Sequence, residues 1–193
     1  MVGNDVVDLH DPETSPEGLN PRFDERVFTT GERHKLASAS DAHSLRWTMW
    51  AAKESAYKLA KRFDCTTIFA HSQFETKLDE NGSGQVHHNC SCYAINVICV
   101  ESAIHAIAMT DHRHREHIVF GLNNLPDGGD PSESVRELAR TAIADQLDID
   151  ATLITITTGA HRIPVLRVDG MPNGHLSLSH HGAHIAFAWM PPL

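Results

Sequence analysis

Between residues 41 and 63 apolar side chains recur every three or four positions: Ala42, Leu45, Met49, Ala52, Ala56, Leu59 and Phe63. That spacing draws one stripe along a helix and predicts a long helix with a buried face. Ser40 or Asp41 is placed to cap it, because a short polar side chain there accepts a free N–H of the first turn. Val135, Leu138, Ala142, Ile143 and Leu147 form a second stripe and predict an amphipathic helix over residues 132–147, with Glu133 suited to its positive end. Thr30-Gly31-Glu32-Arg33 opens a shorter helix. The remaining pattern is strand-like, with apolar runs over 5–9, 72–77, 90–100, 103–110, 118–120, 153–157, 163–168, 176–180 and 185–189. Glu101-Ser102 and His181-Gly182-Ala183-His184 read as hairpin turns, residues 79–84 as a further turn, and 11–21 and 123–131 as loops.

Each half of the chain therefore reads strand, helix, then several strands. The endings are alike: Ala103-Ile104-His105-Ala106-Ile107-Ala108 against Ala183-His184-Ile185-Ala186-Phe187-Ala188. This predicts an α+β fold of two pseudo-repeated lobes, each a helix packed on a small antiparallel sheet, spanning 1–116 and 117–193 as one structural unit. A length of 193 residues suffices for one sizeable core. No apolar run approaches the ~20 residues that span a bilayer, and Met1-Val2-Gly3-Asn4-Asp5 has no basic or apolar leader character. Cys65, Cys90, Cys92 and Cys99 form no C-x-x-C pair and are expected to be free thiols of a cytoplasmic protein.

The formal net charge of -9 argues against a general nucleic-acid binder. Its distribution says more. Residues 22–62 hold nine Lys/Arg and five Asp/Glu, so this stretch is +4 while the rest is -13. A positive region on an acidic protein suits an anionic ligand or an acidic partner. Glu54, Lys58 and Lys61 lie on one side of the long helix, with Trp50 and Tyr57 beside them. Read alone, Glu54 and Lys58 are an ion pair worth a few tenths of a kcal/mol. Set beside the carboxylates of Gly3-Asn4-Asp5-Val6-Val7-Asp8 they offer more: two acids for a divalent metal and ammonium groups for a phosphate.

Together these stretches resemble the 4'-phosphopantetheinyl transferases. Trp50-Ala51-Ala52-Lys53-Glu54-Ser55-Ala56-Tyr57-Lys58 is similar to the family box W-x-x-K-E-[SA]-x-x-K, and Gly3-Asn4-Asp5 to its G-x-D. Phe28-Thr29-Thr30-Gly31-Glu32 resembles the F-x-x-x-E segment between them. Leu176-Ser177-Leu178-Ser179-His180-His181-Gly182 resembles the S-[LI]-S-H box, and Arg162-Ile163-Pro164-Val165-Leu166 the G-K-P-x-[IL] strand, with the basic residue displaced by one. Val7 stands where one branch of the family has a second acid. The metal-and-lysine half comes first, as in the single-lobe holo-acyl-carrier-protein synthases, yet the chain has the length for two lobes.

The resemblance implies transfer of the phosphopantetheine arm of coenzyme A to a serine of an apo acyl or peptidyl carrier protein, with release of 3',5'-ADP. It implies Mg²⁺ held by Asp5 and Glu54, and a catalytic set of Asp5, Glu54 and Lys58. Coenzyme A is expected to meet Lys53, Lys58, Arg162, Ser179 and His180. Arg22, Arg26 and Arg33 are candidates for meeting an acidic carrier. A second lobe in cis would make a monomer self-sufficient, with neither membrane nor nucleic acid as partner. Val7 and the displaced Arg162 leave a second reading, a catalytically inactive coenzyme A- or carrier-binding module. His87-His88-Asn89-Cys90-Ser91-Cys92 and His112-Arg113-His114 raise a third, another metal protein, but they lack zinc-ligand spacing.

Overall fold

In the computed structural model, which describes residues 1–192, the chain opens with strand β1 (Val2–Asp8) and two short 3-10 turns. Helices α1 (Phe23–Val27), α2 (Thr30–Ser38) and α3 (Ala42–Phe63) follow, then strands β2 (Phe74–Leu78), β3 (Ser83–His88), β4 (Ser91–Val100) and β5 (Ala103–Met109). The second half runs β6 (Val119–Asn124), α4 (Pro131–Leu147), β7 (Ile154–Thr158), β8 (Pro164–Val168), β9 (Met171–Pro172), β10 (His175–His181) and β11 (His184–Met190).

The fold is α+β. Its sheets run β1-β5-β4-β3-β2, β10-β11-β6 and β7-β8-β9, antiparallel throughout. The order β1-β5-β4 recurs as β6-β11-β10, so the two Ala- and Ile-rich stretches occupy the same central place in their sheets. Strand β3 is absent from the sequence reading because Val86 is its lone apolar side chain, and it forms by pairing between β2 and β4.

Local chemistry sets the helix limits. Asp41 accepts the Ser44 N–H at 2.9 Å and caps α3. Thr29 and Glu32 exchange the reciprocal bonds of a capping box at the start of α2. Asp130 caps α4, with Pro131 in the first helical position. Helix α3 buries Trp47, Ala51, Ala52, Ala56, Leu59 and Ala60 against Val7, Ile95, Ile104, Ala106 and Ala108 of the sheet. The approach of α3 to β1 depends on Gly3: a Cβ there would overlap the Ser55 carbonyl oxygen and lie 2.8 Å from the Leu59 nitrogen.

On the other face of that sheet, Val2, Ile107 and Met109 pack with Ala188 and Met190 in a seam between the halves. His105 is wholly buried in the first half, where Asn4 Nδ2 lies 3.1 Å from its Nε2. Burial first, and then the charge of Lys58, push its pKa down to about 4. An unfolded histidine titrates near 6.5, so as pH falls the unfolded chain takes up this proton before the folded one. The stability tied to neutral His105 is therefore complete above about pH 6.5 and is lost toward about pH 4, to a total of about 3 kcal/mol. Urea midpoints measured across that window should fall, and His105→Gln should flatten the slope; an unchanged slope would show that other groups set it.

Candidate functional site

Strand β1 points Asp5 toward α3, and α3 presents Glu54 and Lys58 one turn apart. Lys58 Nζ lies 2.8 Å from Asp5 Oδ1 and 3.7 Å from Glu54 Oε1. These groups form the floor of a cavity of about 380 Å³. Phe23, Trp47 and Trp50 make an aromatic wall, with Phe23 and Trp50 stacked at 5.5 Å. Leu178, Ser179, His180 and His181 of β10 line the opposite side, and Glu13 stands at the rim. The two ends of the chain thus meet in one cavity.

Burial pushes the Glu54 carboxyl up to about 7, helped by the charge of Asp5 and only partly offset by Lys58. Burial works against the Lys58 charge, but the Asp5 and Glu54 carboxylates outweigh it and hold the ammonium above its ordinary pKa. The site is therefore a carboxylate pair short of positive charge, with an ammonium already between its members. Mg²⁺ accepts one or two carboxylates and keeps waters. Asp5 and Glu54, both lining an open cavity, fit that donor set.

Other expected site residues have different placements. Lys53 does not reach the cavity. It is wholly buried on another side of α3, where its ammonium meets Glu32 Oε2 at 2.8 Å, the His71 carbonyl at 3.2 Å and the Phe74 carbonyl. Glu32 also accepts from Thr76 N and Oγ1 at 2.7 and 2.6 Å. Burial favours a neutral Glu32, but the Lys53 charge and these bonds outweigh it and hold its pKa below the ordinary value. The correction has a geometric reason: neighbours on a helix point about 100° apart, so Lys53 and Glu54 cannot share a face.

Arg162 lies exposed in the turn before β8, with φ of 62°, and is not among the cavity residues. His180 is exposed at the mouth. Ser179 is nearly buried and bonded to Asp5 Oδ1 at 2.8 Å. Asp8 accepts the N–H groups of His10 and Ala183 at 2.9 and 3.0 Å. Burial opposes its charge, yet these bonds and His184 beside it keep the carboxyl below the usual range. Asp8 thus holds the β10–β11 turn instead of facing α3. Arg62, not singled out in the sequence, spans from α3 to the Leu176 carbonyl of β10, and burial brings its pKa down to about 10.

Among the described residues, one group brings three ligand-type atoms together, Asp11, Glu13 and His181, all within 4.8 Å. His181 Nδ1 accepts the Asp8 N–H at 3.2 Å, so the neutral ring carries its proton on Nε2 and neither nitrogen keeps a free lone pair. That set is poorly suited to a metal. The His/Cys runs at 87–92 and 112–114 form no such group among the described residues. All four cysteines are free and exposed. Among the described residues no helix is long and apolar enough to cross a membrane.

Residues 1–115 match the family model of the 4'-phosphopantetheinyl transferase superfamily. No curated protein matches the chain. The match takes in Asp5, Glu54, Lys58 and the Glu32–Lys53 pair, and ends before β10.

The buried ion pair yields a test separate from catalysis. Lys53→Met leaves Glu32 charged and without its partner, at a cost of about 3–5 kcal/mol. Glu32→Gln combined with Lys53→Met should recover much of that loss, as read from denaturant midpoints. A Lys53→Met protein of wild-type stability would mean that the pair does not hold α2 to α3.

Proposed function

The chain belongs to the 4'-phosphopantetheinyl transferase superfamily, and from that premise we propose that it transfers the phosphopantetheine arm of coenzyme A to a serine of an apo carrier protein. The observation that carries this reading is the convergence of Asp5, Glu54 and Lys58 on one open cavity that is polar on its floor and aromatic on one wall.

In the proposed reaction the serine oxygen attacks the pantetheine-side phosphorus of coenzyme A. A new P–O bond forms, the bond to the bridging oxygen breaks, and 3',5'-ADP leaves with the electron pair. Such transfer depends on positioning and on neutralising charge at oxygen. Asp5 and Glu54 would hold Mg²⁺, which would supply such neutralisation. Lys58 adds a point charge to the phosphates. Glu54, on the cavity floor, would accept the serine proton, directly or through a water. His180 at the mouth is placed for the nucleotide end of coenzyme A. Arg22 and Arg26 are exposed, Arg33 is half-buried, and all three lie on the α1–α2 side of the aromatic wall, where an acidic carrier would be steered. Because β10 of the same chain completes the cavity, a monomer suffices.

The alternative is a module that binds coenzyme A or a carrier without reacting, motivated by Val7 where a second acid would stand. Intact-mass spectrometry of apo carrier proteins incubated with the protein, coenzyme A and Mg²⁺ separates the two. Transfer predicts a phosphopantetheine-sized mass gain that needs metal and vanishes in Asp5→Ala; binding without any gain supports the module.

Glu54→Gln should lower turnover at least about 10³-fold, since it removes a metal ligand and the base together, while leaving the unfolding midpoint near that of wild type. Near-normal turnover by that variant would sink the assignment.

A further inference from the structure

Ser177 and Ser179 stand two apart on β10, on the same face, and both seal the edge of β1. Ser177 Oγ accepts the Asn4 N–H at 2.9 Å, and Ser179 Oγ accepts the Val6 N–H at 3.2 Å. They differ in one respect. Ser179 also donates to Asp5 Oδ1 at 2.8 Å and accepts from Lys58 Nζ at 3.3 Å. A hydroxyl has one hydrogen to donate and two lone pairs to accept with, and all three are used here. With 6% of its surface exposed, the residue turns only a small face to the cavity, and its hydrogen-bonding capacity is taken up by Val6, Asp5 and Lys58.

We propose that Ser179 is a positioning residue: it fixes the Asp5 carboxylate for the metal instead of contacting coenzyme A. The inference rests on the reading above that Asp5 holds the metal. Ser179 and Lys58 both engage Oδ1, which leaves Oδ2 of Asp5 as the oxygen free for another partner. Lys58 has a third N–H to offer a phosphate, and wherever its ammonium turns, the Ser179 bond holds the carboxylate in place. A ligand's orientation and basicity are set by such outer bonds, and losing one typically weakens metal affinity 10–100-fold.

Ser177→Ala serves as the internal control, because it loses an edge bond of the same kind without touching Asp5. Mn²⁺ affinity, read from the electron paramagnetic resonance of free Mn²⁺ with coenzyme A present, should fall about 10–100-fold in Ser179→Ala. It should stay within about threefold of wild type in Ser177→Ala, although both variants unfold at lower urea than wild type. Ser179→Thr keeps a hydroxyl and should restore most of the affinity, whereas Ser179→Val, of the same shape without the hydroxyl, should not, and this pair decides the matter if the alanine variant does not fold. Coenzyme A affinity measured in EDTA should be unchanged in Ser179→Ala. Wild-type Mn²⁺ affinity in Ser179→Ala overturns the proposal, and so does an equal loss in Ser177→Ala. Weakened coenzyme A binding with metal affinity intact overturns it and returns the serine to the nucleotide. A wild-type protein that takes up no Mn²⁺ removes the metal reading, and this inference with it.

Discussion

Strand β1 has one edge paired and one edge buried without a strand to pair it. Strand β5 satisfies the first edge. On the second, the N–H groups of Asn4, Val6 and Asp8 meet Ser177 Oγ, Ser179 Oγ and His181 Nδ1. Backbone donors on one edge recur every two residues, and so do side chains on one face of a strand. The S-x-S-x-H spacing of β10 therefore supplies acceptors in register with the donors of β1, replacing the carbonyls of a neighbouring strand. Buried N–H groups without partners are costly, so this row of side chains fixes how the second half sits on the first. It also keeps β10 a side chain's length from β1, and the cavity opens beside that gap, walled by Leu178, Ser179, His180 and His181.

The basic stretch that includes α3 is divided by the fold into three uses. Lys53 turns inward to Glu32 and ties α2 and β2 to α3. Lys58 faces the carboxylate pair at the cavity floor. Arg62 reaches across to the backbone of β10 and joins the halves. The +4 balance of this stretch is thus only in part a surface feature: one cation is sealed in the core, one bridges the seam, and one faces the cavity. Fixing the first and third restrains the helix that carries the second, and that places Glu54 and Lys58 against Asp5 without loop residues having to do it.

Periodicity made α3, α4 and the hairpin strands legible, because burial on one face imposes a repeat on the sequence. It could not reveal β3, whose apolar content is one valine and whose pairing comes from its neighbours. The box on α3 pointed to Glu54 and Lys58, which line the cavity, and by spelling alone to Lys53, which does not. Helical geometry already separates them, since adjacent residues diverge by about 100°. The alternation of Ser177, Ser179 and His181 likewise carries a strand-edge signal, beside the resemblance of the segment to a nucleotide box. Arg162 carried no comparable signal. Its placement depends on consecutive positive φ angles at His161 and Arg162, which no residue type there announces.

The family match stops at residue 115, while the cavity needs residues 177–181. The matched half contains Asp5, Glu54 and Lys58, yet the N–H groups of Asn4, Val6 and Asp8 on the unpaired edge of β1 find their acceptors in the other half. The Met1 ammonium, 3.0 Å from Met190 Sδ, closes the same seam at its far end. Asp8 adds a latch, holding the Ala183 N–H beside Gly182, where φ of 53° and the nearness of Asp8 and Asp11 leave no room for a Cβ. The first half thus supplies the charged groups, and the second supplies the acceptors that stop β1 from shifting and the wall that closes the cavity. Residues that wall the cavity therefore lie outside the matched region, and β10 meets Asp5 both through Ser179 and through the edge of one strand.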